Sequence, residues 1–249
     1  MKKGFEYFII AVFVLLFAIS CKRETDKVNF DFGYSYYPSD SGDYVIYKVD
    51  SVIYNYFNLP VLRRFSSQYL KEIITDSFTD NLGRNAKIIM RYTTDSLNHP
   101  WTFDRAWYFV KNATNVEQVE DNIRYIKLTF PVLNGNTWKG NKYNELKHYP
   151  FGDLRYATSD FDWTYLITNI NEHYANGSIS SDSTISILQV DDSTNVQRVY
   201  SVEKYSKNIG LVYKELWRLD AQLKGDQNFT DSARSGFIMR QYAIQFGKD

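Results

Sequence analysis

One pattern constrains the fold more than any other. Apolar and polar residues alternate, and the alternating runs recur about every ten to twenty residues. Residues 44–51 (YVIYKVDS) put Val45, Tyr47 and Val49 on one side and Ile46, Lys48 and Asp50 on the other. That period of two is what a half-buried strand requires. Further strand-like runs fall at 68–76, 85–93, 101–111, 116–119, 123–130, 161–171, 183–190, 196–205, 210–219 and 236–246. The stretch DNLGR at 80–84 has the Asp, Asn and Gly of a tight turn and predicts a hairpin. Asp191-Asp192-Ser193-Thr194 reads as another turn. Tyr and Phe, with 21 and 17 copies, far outnumber the 5 prolines, which favours strands throughout. Helix signals are poor: a short turn within 57–69, where Pro60 intervenes, and a polar stretch at 221–235 broken by Gly225. The expected fold is all-β, a curved antiparallel sheet closing as a barrel or half-barrel with little helix.

The N-terminus carries a different signal. Lys2 and Lys3 precede an apolar run over residues 7–19, which ends in Ala18-Ile19-Ser20-Cys21. A spanning helix needs about 20 apolar residues, and this run has the shorter length of a secretory signal. Ala18-Ile19-Ser20-Cys21 resembles the lipobox of bacterial lipoproteins, with Ala18 where leucine is usual. The resemblance implies cleavage before Cys21 and lipid on its thiol. Cys21 is the only cysteine, so no second thiol exists to pair with it. The expected organisation is a signal peptide at 1–20, a lipidated, charged tether at 21–30 (CKRETDKVNF), and one β domain at 31–249.

Charge and motif content narrow the chemistry. Without residues 1–20 the chain loses Lys2, Lys3 and Glu6, so its 29 basic and 29 acidic residues become 27 and 28. That balance has no basic stripe, and nucleic acid is not an expected partner. His99, His148 and His173 are not spaced as metal ligands and read as exposed loop residues. No serine sits in a G-x-S-x-G elbow, no glycine-rich phosphate loop occurs, and no cofactor is expected.

Carboxylates and aromatics remain. Asp76, Asp80, Asp153, Asp160, Asp162, Asp191 and Asp192 lie near expected loops. Paired carboxylates at the right separation hydrolyse glycosides, but acidic residues are common in turns for structural reasons. Residues 135–160 lack periodicity, contain Gly140, Gly152 and Pro150, and read as a long irregular excursion. Its aromatic residues Trp138, Tyr143, Tyr149 and Phe151 are the expected ligand contacts, because loops without a period often carry function. The competing reading makes Trp138 a buried plug.

A resemblance accompanies these readings. Tyr37-Pro38, then residues 42–51 (GDYVIYKVDS), and later residues 205–213 (YSKNIGLVY) form a pair. The pair is similar to uncharacterised Bacteroidota lipoproteins, which open with a P-x-x-x-G-x-x-W-x-Y strand and return with a G-x-G-L-V strand. Val45 stands in place of the tryptophan and Asn208 in place of the first glycine. The resemblance implies a barrel or half-barrel in the cell envelope and assigns no active residue. Two functional expectations follow. One is a lipid-anchored outer-membrane protein, facing periplasm or cell surface, that binds a glycan, an apolar molecule or an envelope protein without catalysis. The other is a glycoside-type hydrolase using loop carboxylates.

Overall fold

The structure, a computed structural model, describes residues 30–55, 62–143, 163–223, 225 and 227–249, with only the backbone of Leu62. Two compact units divide the chain, Met1–Asp31 and Phe32–Asp249. Of the first, only Phe30 and Asp31 are described.

The second unit is a single sheet of twelve strands. The first six are β1 (Asp43–Asn55), β2 (Leu62–Thr79), β3 (Asn85–Thr94), β4 (Thr102–Lys111), β5 (Asn115–Glu120) and β6 (Ile123–Thr129). The second six are β7 (Thr137–Lys139), β8 (Thr164–Ala175), β9 (Ser180–Ser193), β10 (Gln197–Ser206), β11 (Gly210–Ala221) and β12 (Ala233–Lys248). The order is β6-β5-β4-β3-β2-β1-β12-β11-β10-β9-β8-β7, and every ladder is antiparallel. Two six-stranded meanders are thus joined back to back by the β1–β12 ladder, which runs from Asp43↔Lys248 to Tyr54↔Gly236.

The sheet curls until its ends nearly meet. Ile126 N–H of β6 donates to Gly140 O, just past β7, at 2.8 Å, and Trp138 Nε1 donates to Ile126 O at 2.8 Å. The barrel is therefore nearly closed, as the alternation predicts. Closure removes most of the exposed edge that an open twelve-stranded sheet would present.

Local chemistry explains the connections. At 80–84 the Asp80 carboxylate accepts from the N–H groups of Leu82 and Arg84, each at 2.9 Å, and Gly83 takes φ +75°. β5 and β6 are joined by Asp121 and Asn122 alone, both with positive φ, the primed turn that suits strand twist. Asn208 has φ +62° in the β10–β11 turn. Asparagine tolerates that conformation better than most residues, which suits it to this turn.

Four expectations need correction. Residues 62–69 are strand, not a helical turn, because each is laddered to β1 as far as Lys48↔Tyr69. The 221–235 stretch supplies only one helical turn, α1 (Phe229–Ser232), capped by Asn228 Oδ1, which accepts from Asp231 N–H at 2.9 Å. The 135–160 excursion begins with β7, since Trp138 pairs with Tyr165 of β8. β9 runs on through Asp191 and Asp192, because Arg198 of β10 pairs with the Asp191 carboxylate and donates to Asp192 O.

The interior divides along the barrel. One region is apolar: Phe109, Val116, Leu128, Ile167, Ile185 and Ile187 are fully buried, and Tyr36 and Tyr37 pack against them from the 3-10 turn at Tyr34–Tyr36. Burying a side chain of this size contributes about 1.5–3 kcal/mol. A separate apolar cluster, built on Tyr54, Leu219 and Ile238 and including Phe229 of α1, sits where the outward phases of β1, β11 and β12 meet. The remaining interior holds a chamber.

Candidate functional site

The chamber has a volume of about 400 Å³, inside the size range of small-molecule sites. The period of two decides what reaches it. Val45, Tyr47 and Val49 of β1 line it, while Lys48 and Asp50 pair on the opposite face at 3.4 Å. Leu70, Ile89, Phe109 and Met239 add apolar wall. On β4, Thr102–Trp107 runs past the β5 ladder, which starts at Tyr108↔Val119, and exposed Asp104, Arg105 and Asp121 form a rim there.

Charged groups occupy inward positions where the strand pattern asks for apolar ones. Glu203, fully buried, shares the inward phase of β10 with Val199 and Tyr205. Lys127 stands at an irregularity in β6: Val116 faces Leu128 and Glu117 faces Ile126, so Lys127 has no opposite number. Such a bulge re-aims a side chain, and both Lys127 and Leu128 are buried.

Lys127 Nζ lies 2.7 Å from Glu203 Oε1 and 3.4 Å from Glu120 Oε1. Lys214 Nζ lies 3.1 Å from Glu203 Oε1, and Tyr205 OH donates to Glu203 Oε2 at 2.6 Å. Gln118 Nε2 donates to Glu120 Oε1 at 3.0 Å, and Gln118 Oε1 accepts from Tyr37 OH.

Toward the rim, Glu72 pairs with Arg91 at 2.9 Å, and Arg105 pairs with Asp104 and Asp121 at 2.9 and 2.8 Å. The Arg91 guanidinium lies 3.6 Å from the centre of the Trp107 ring, a cation–π contact.

This pairing sets protonation. Burial alone would raise the pKa of Glu203. The ammonium charges of Lys127 and Lys214, with the hydrogen bonds from Lys127 and Tyr205, bring it down instead to about 2. Burial alone would lower Lys127, but the carboxylates of Glu203 and Glu120 carry it well above the ordinary lysine value. Both groups therefore stay charged at neutral pH.

Of the residues singled out from the sequence as ligand contacts, the two that are described, Trp138 and Tyr143, do not line this chamber. Trp138 is half-buried at the β6–β7 seam, with its ring edge-on to Tyr165 at 5.7 Å. Gly140 has no room for a ligand: a Cβ there would lie 2.2 Å from the Tyr165 ring, so its bareness admits that ring. Tyr143 is 48% exposed, and its OH donates to Glu117 Oε1 at 3.1 Å. Cys21, Tyr149 and Phe151 lie outside the described residues, as do His148, Asp153, Asp160 and Asp162.

Four other flagged groups have local partners. Asp80 holds the hairpin turn, and Asp191 pairs with Arg198. His99 pairs with Asp95 at 2.7 Å. His173, on strand β8 and not in a loop, pairs with Asp182 at 2.6 Å. Among the described residues, no group of three His, Cys, Asp or Glu side chains is arranged to hold a metal ion.

Sequence reasoning missed Glu120, Lys127, Glu203, Lys214 and Gln241. The available signal was phase. Glu203 interrupts an apolar inward series, as Gln241 does after Phe237 and Met239.

No known protein family and no curated protein matches the chain. Among solved structures, a Bacteroides fragilis protein described as exported, with a YmcC-like fold, superposes with a TM-score of 0.42 at 10% identity. The match covers 85% of this chain and 98% of that one. A likeness so distant does not bear on function.

Proposed function

We propose that this protein is an outer-membrane lipoprotein, anchored through lipid on Cys21, whose barrel holds a small molecule without transforming it. The observation that carries the reading is the chamber: about 400 Å³ of space, walled by both aromatic and charged side chains. A barrel of this size ordinarily fills its interior with apolar side chains or keeps room for a ligand. Here much of the wall is polar and a cavity remains.

Glu203 itself is unsuited to act as a hydrolytic acid. A glycosidase needs a carboxyl group raised toward neutrality to donate a proton. Glu203 is held in the opposite direction, at about 2, by two ammonium groups. Envelope placement rests on the basic n-region, the short apolar run and the cysteine that ends it. Tyr143, at the surface beside Glu117, stays a candidate contact for an envelope partner.

Two experiments test this reading. In a Gram-negative host, an alkyne-labelled palmitate should be incorporated into the parent and not into Cys21→Ser, and the variant should leave the membrane fraction or stay unprocessed. Label on Cys21→Ser would refute the anchor. Calorimetric titration of the purified full chain against neutral sugars, sugar acids, amino sugars and fatty acids tests the chamber. If no member binds, the chamber reading is refuted.

A further inference from the structure

The chamber wall contains a row that the strand register lays out directly. Gln68 of β2 faces Val49 of β1, Val49 faces Gln241 of β12, Gln241 faces Lys214 of β11, and Lys214 faces Glu203 of β10. All five residues line the chamber. Neighbouring strands lie about 4.8 Å apart, so two amides, an ammonium and a carboxylate stand in line along one wall, with Val49 between the amides.

The amides are unused. Gln68 and Gln241 make no side-chain hydrogen bond among the described residues; Gln241 is only 5% exposed and faces the cavity, and Gln68 lines it from an exposed position. Neither amide is sealed in the packed core, so the donors and acceptors of both open onto the cavity and are free to meet a solute. The apolar cluster on Val49, Leu70 and Met239 shows that apolar side chains pack at neighbouring positions.

The charges, by contrast, are all used. Each of the six carboxylates lining the chamber has a cation within 4 Å: Asp43 with Lys248, Glu72 with Arg91, Asp104 and Asp121 with Arg105, Glu120 and Glu203 with Lys127. The innermost group, Lys127 and Lys214 against Glu120 and Glu203, sums to zero charge. Beside that innermost group an ionic ligand would meet no uncompensated counter-charge and would have to break an existing pair, at the cost of leaving a buried charge alone; the rim, with Glu72, Asp104 and Asp121 against Arg91 and Arg105, carries one negative charge in excess. A wholly apolar ligand would leave the amides unpaired.

From this, and resting on the chamber reading above, we infer that the ligand is a neutral polyhydroxylated molecule of mono- to disaccharide size, gripped by the amides of Gln68 and Gln241. A primary amide both donates and accepts, and so does a hydroxyl, so the two match without any charge. Val49, Leu70 and Met239 offer apolar surface to the C–H face of a sugar ring. At about 30 Å³ per water, the space holds roughly a dozen waters, enough for one or two sugar rings. Lys214, with one carboxylate contact at 3.1 Å, has further N–H groups to give to a hydroxyl oxygen.

The test is isothermal titration of the full chain in detergent with maltose, N-acetylglucosamine, glucuronate, glucosamine and dodecanoate. The expected result is that maltose or N-acetylglucosamine binds at least tenfold more tightly than the other three. Gln68→Leu and Gln241→Leu should each weaken that binding at least tenfold, while thermal unfolding shows a Tm equal to or above the parent's. The unchanged or raised Tm separates a ligand contact from a structural role. Tightest binding by a charged probe or by dodecanoate overturns the inference and leaves the chamber standing. Equal sugar affinity in both Leu variants also overturns it. If none of the five binds, the inference and the chamber reading fall together.

Discussion

Replacing Lys127 by methionine tests the central claim about the interior, that its charges are held by pairing with one another. The Lys127 side chain is 7% exposed and Glu203 is fully buried. Lys127→Met keeps the length of the side chain and removes one ammonium from between two carboxylates. Glu203 retains Lys214 at 3.1 Å and the Tyr205 hydroxyl, and Glu120 retains Gln118. One negative charge is then uncompensated. Breaking a buried pair costs about 3–5 kcal/mol.

Protonation sets a ceiling on that cost. Neutralising a carboxyl of ordinary pKa 4.5 at pH 7 costs about 3.4 kcal/mol, at 1.36 kcal/mol per unit. The expected loss at pH 7 is therefore about 3 kcal/mol, a fall in Tm of roughly 6–12 °C for a domain of this size.

The pH dependence follows in sign. In the parent, Glu203 sits at about 2 against 4.5 when unfolded. Its contribution is fully present above pH 4.5 and is lost as pH falls toward 2. In Lys127→Met a carboxyl is raised above 4.5 in the folded state, so the folded form binds the extra proton. The deficit then shrinks as pH falls from 7 to 5, to about 1 kcal/mol. Urea unfolding of both proteins at the two pH values measures this. Adding Glu203→Gln should recover about 2 kcal/mol of the loss at pH 7, a non-additivity expected of contacting groups. A loss below about 1 kcal/mol that does not change with pH would show that the pairing contributes no more than exposed ion pairs do and refute the reasoning.

Two further substitutions probe the frame. Gly236→Ala should lower the Tm by roughly 6–12 °C, because Gly236 has φ +110° and a Cβ there would lie 2.0 Å from the backbone oxygen of Arg218; a Tm within about 2 °C of the parent refutes this. Trp138→Ala should cost about 2–3 kcal/mol through loss of the seam contact with Tyr165 and of the bond to Ile126 O. Trp138→Phe, which keeps a ring and loses only the donor, should cost about 1 kcal/mol. Denaturant melts that leave Trp138→Ala unchanged would return Trp138 to the role of a surface contact.

The alternation of Val45, Tyr47 and Val49 with Ile46, Lys48 and Asp50 was enough to call for strands, and the turn at Asp80–Arg84 was legible because its side chains act on their own backbone. Local chemistry writes itself into adjacent residues, so the all-β class and this hairpin needed no tertiary information. Residues 62–69 were misread for the same reason in reverse. Apart from Phe65 the run Arg63-Arg64-Phe65-Ser66-Ser67-Gln68 is polar, and only the ladder with β1 makes it a strand.

The chamber lay beyond sequence reading because it is a property of register. Gln68 and Gln241 are far apart in the chain, and they share a wall only because both face Val49. Glu203 meets Lys127 through the near-closure of the sheet and a one-residue bulge in β6. A bulge shifts every later side chain by one face, so a single unpaired residue decides whether an ammonium points into the barrel or out of it.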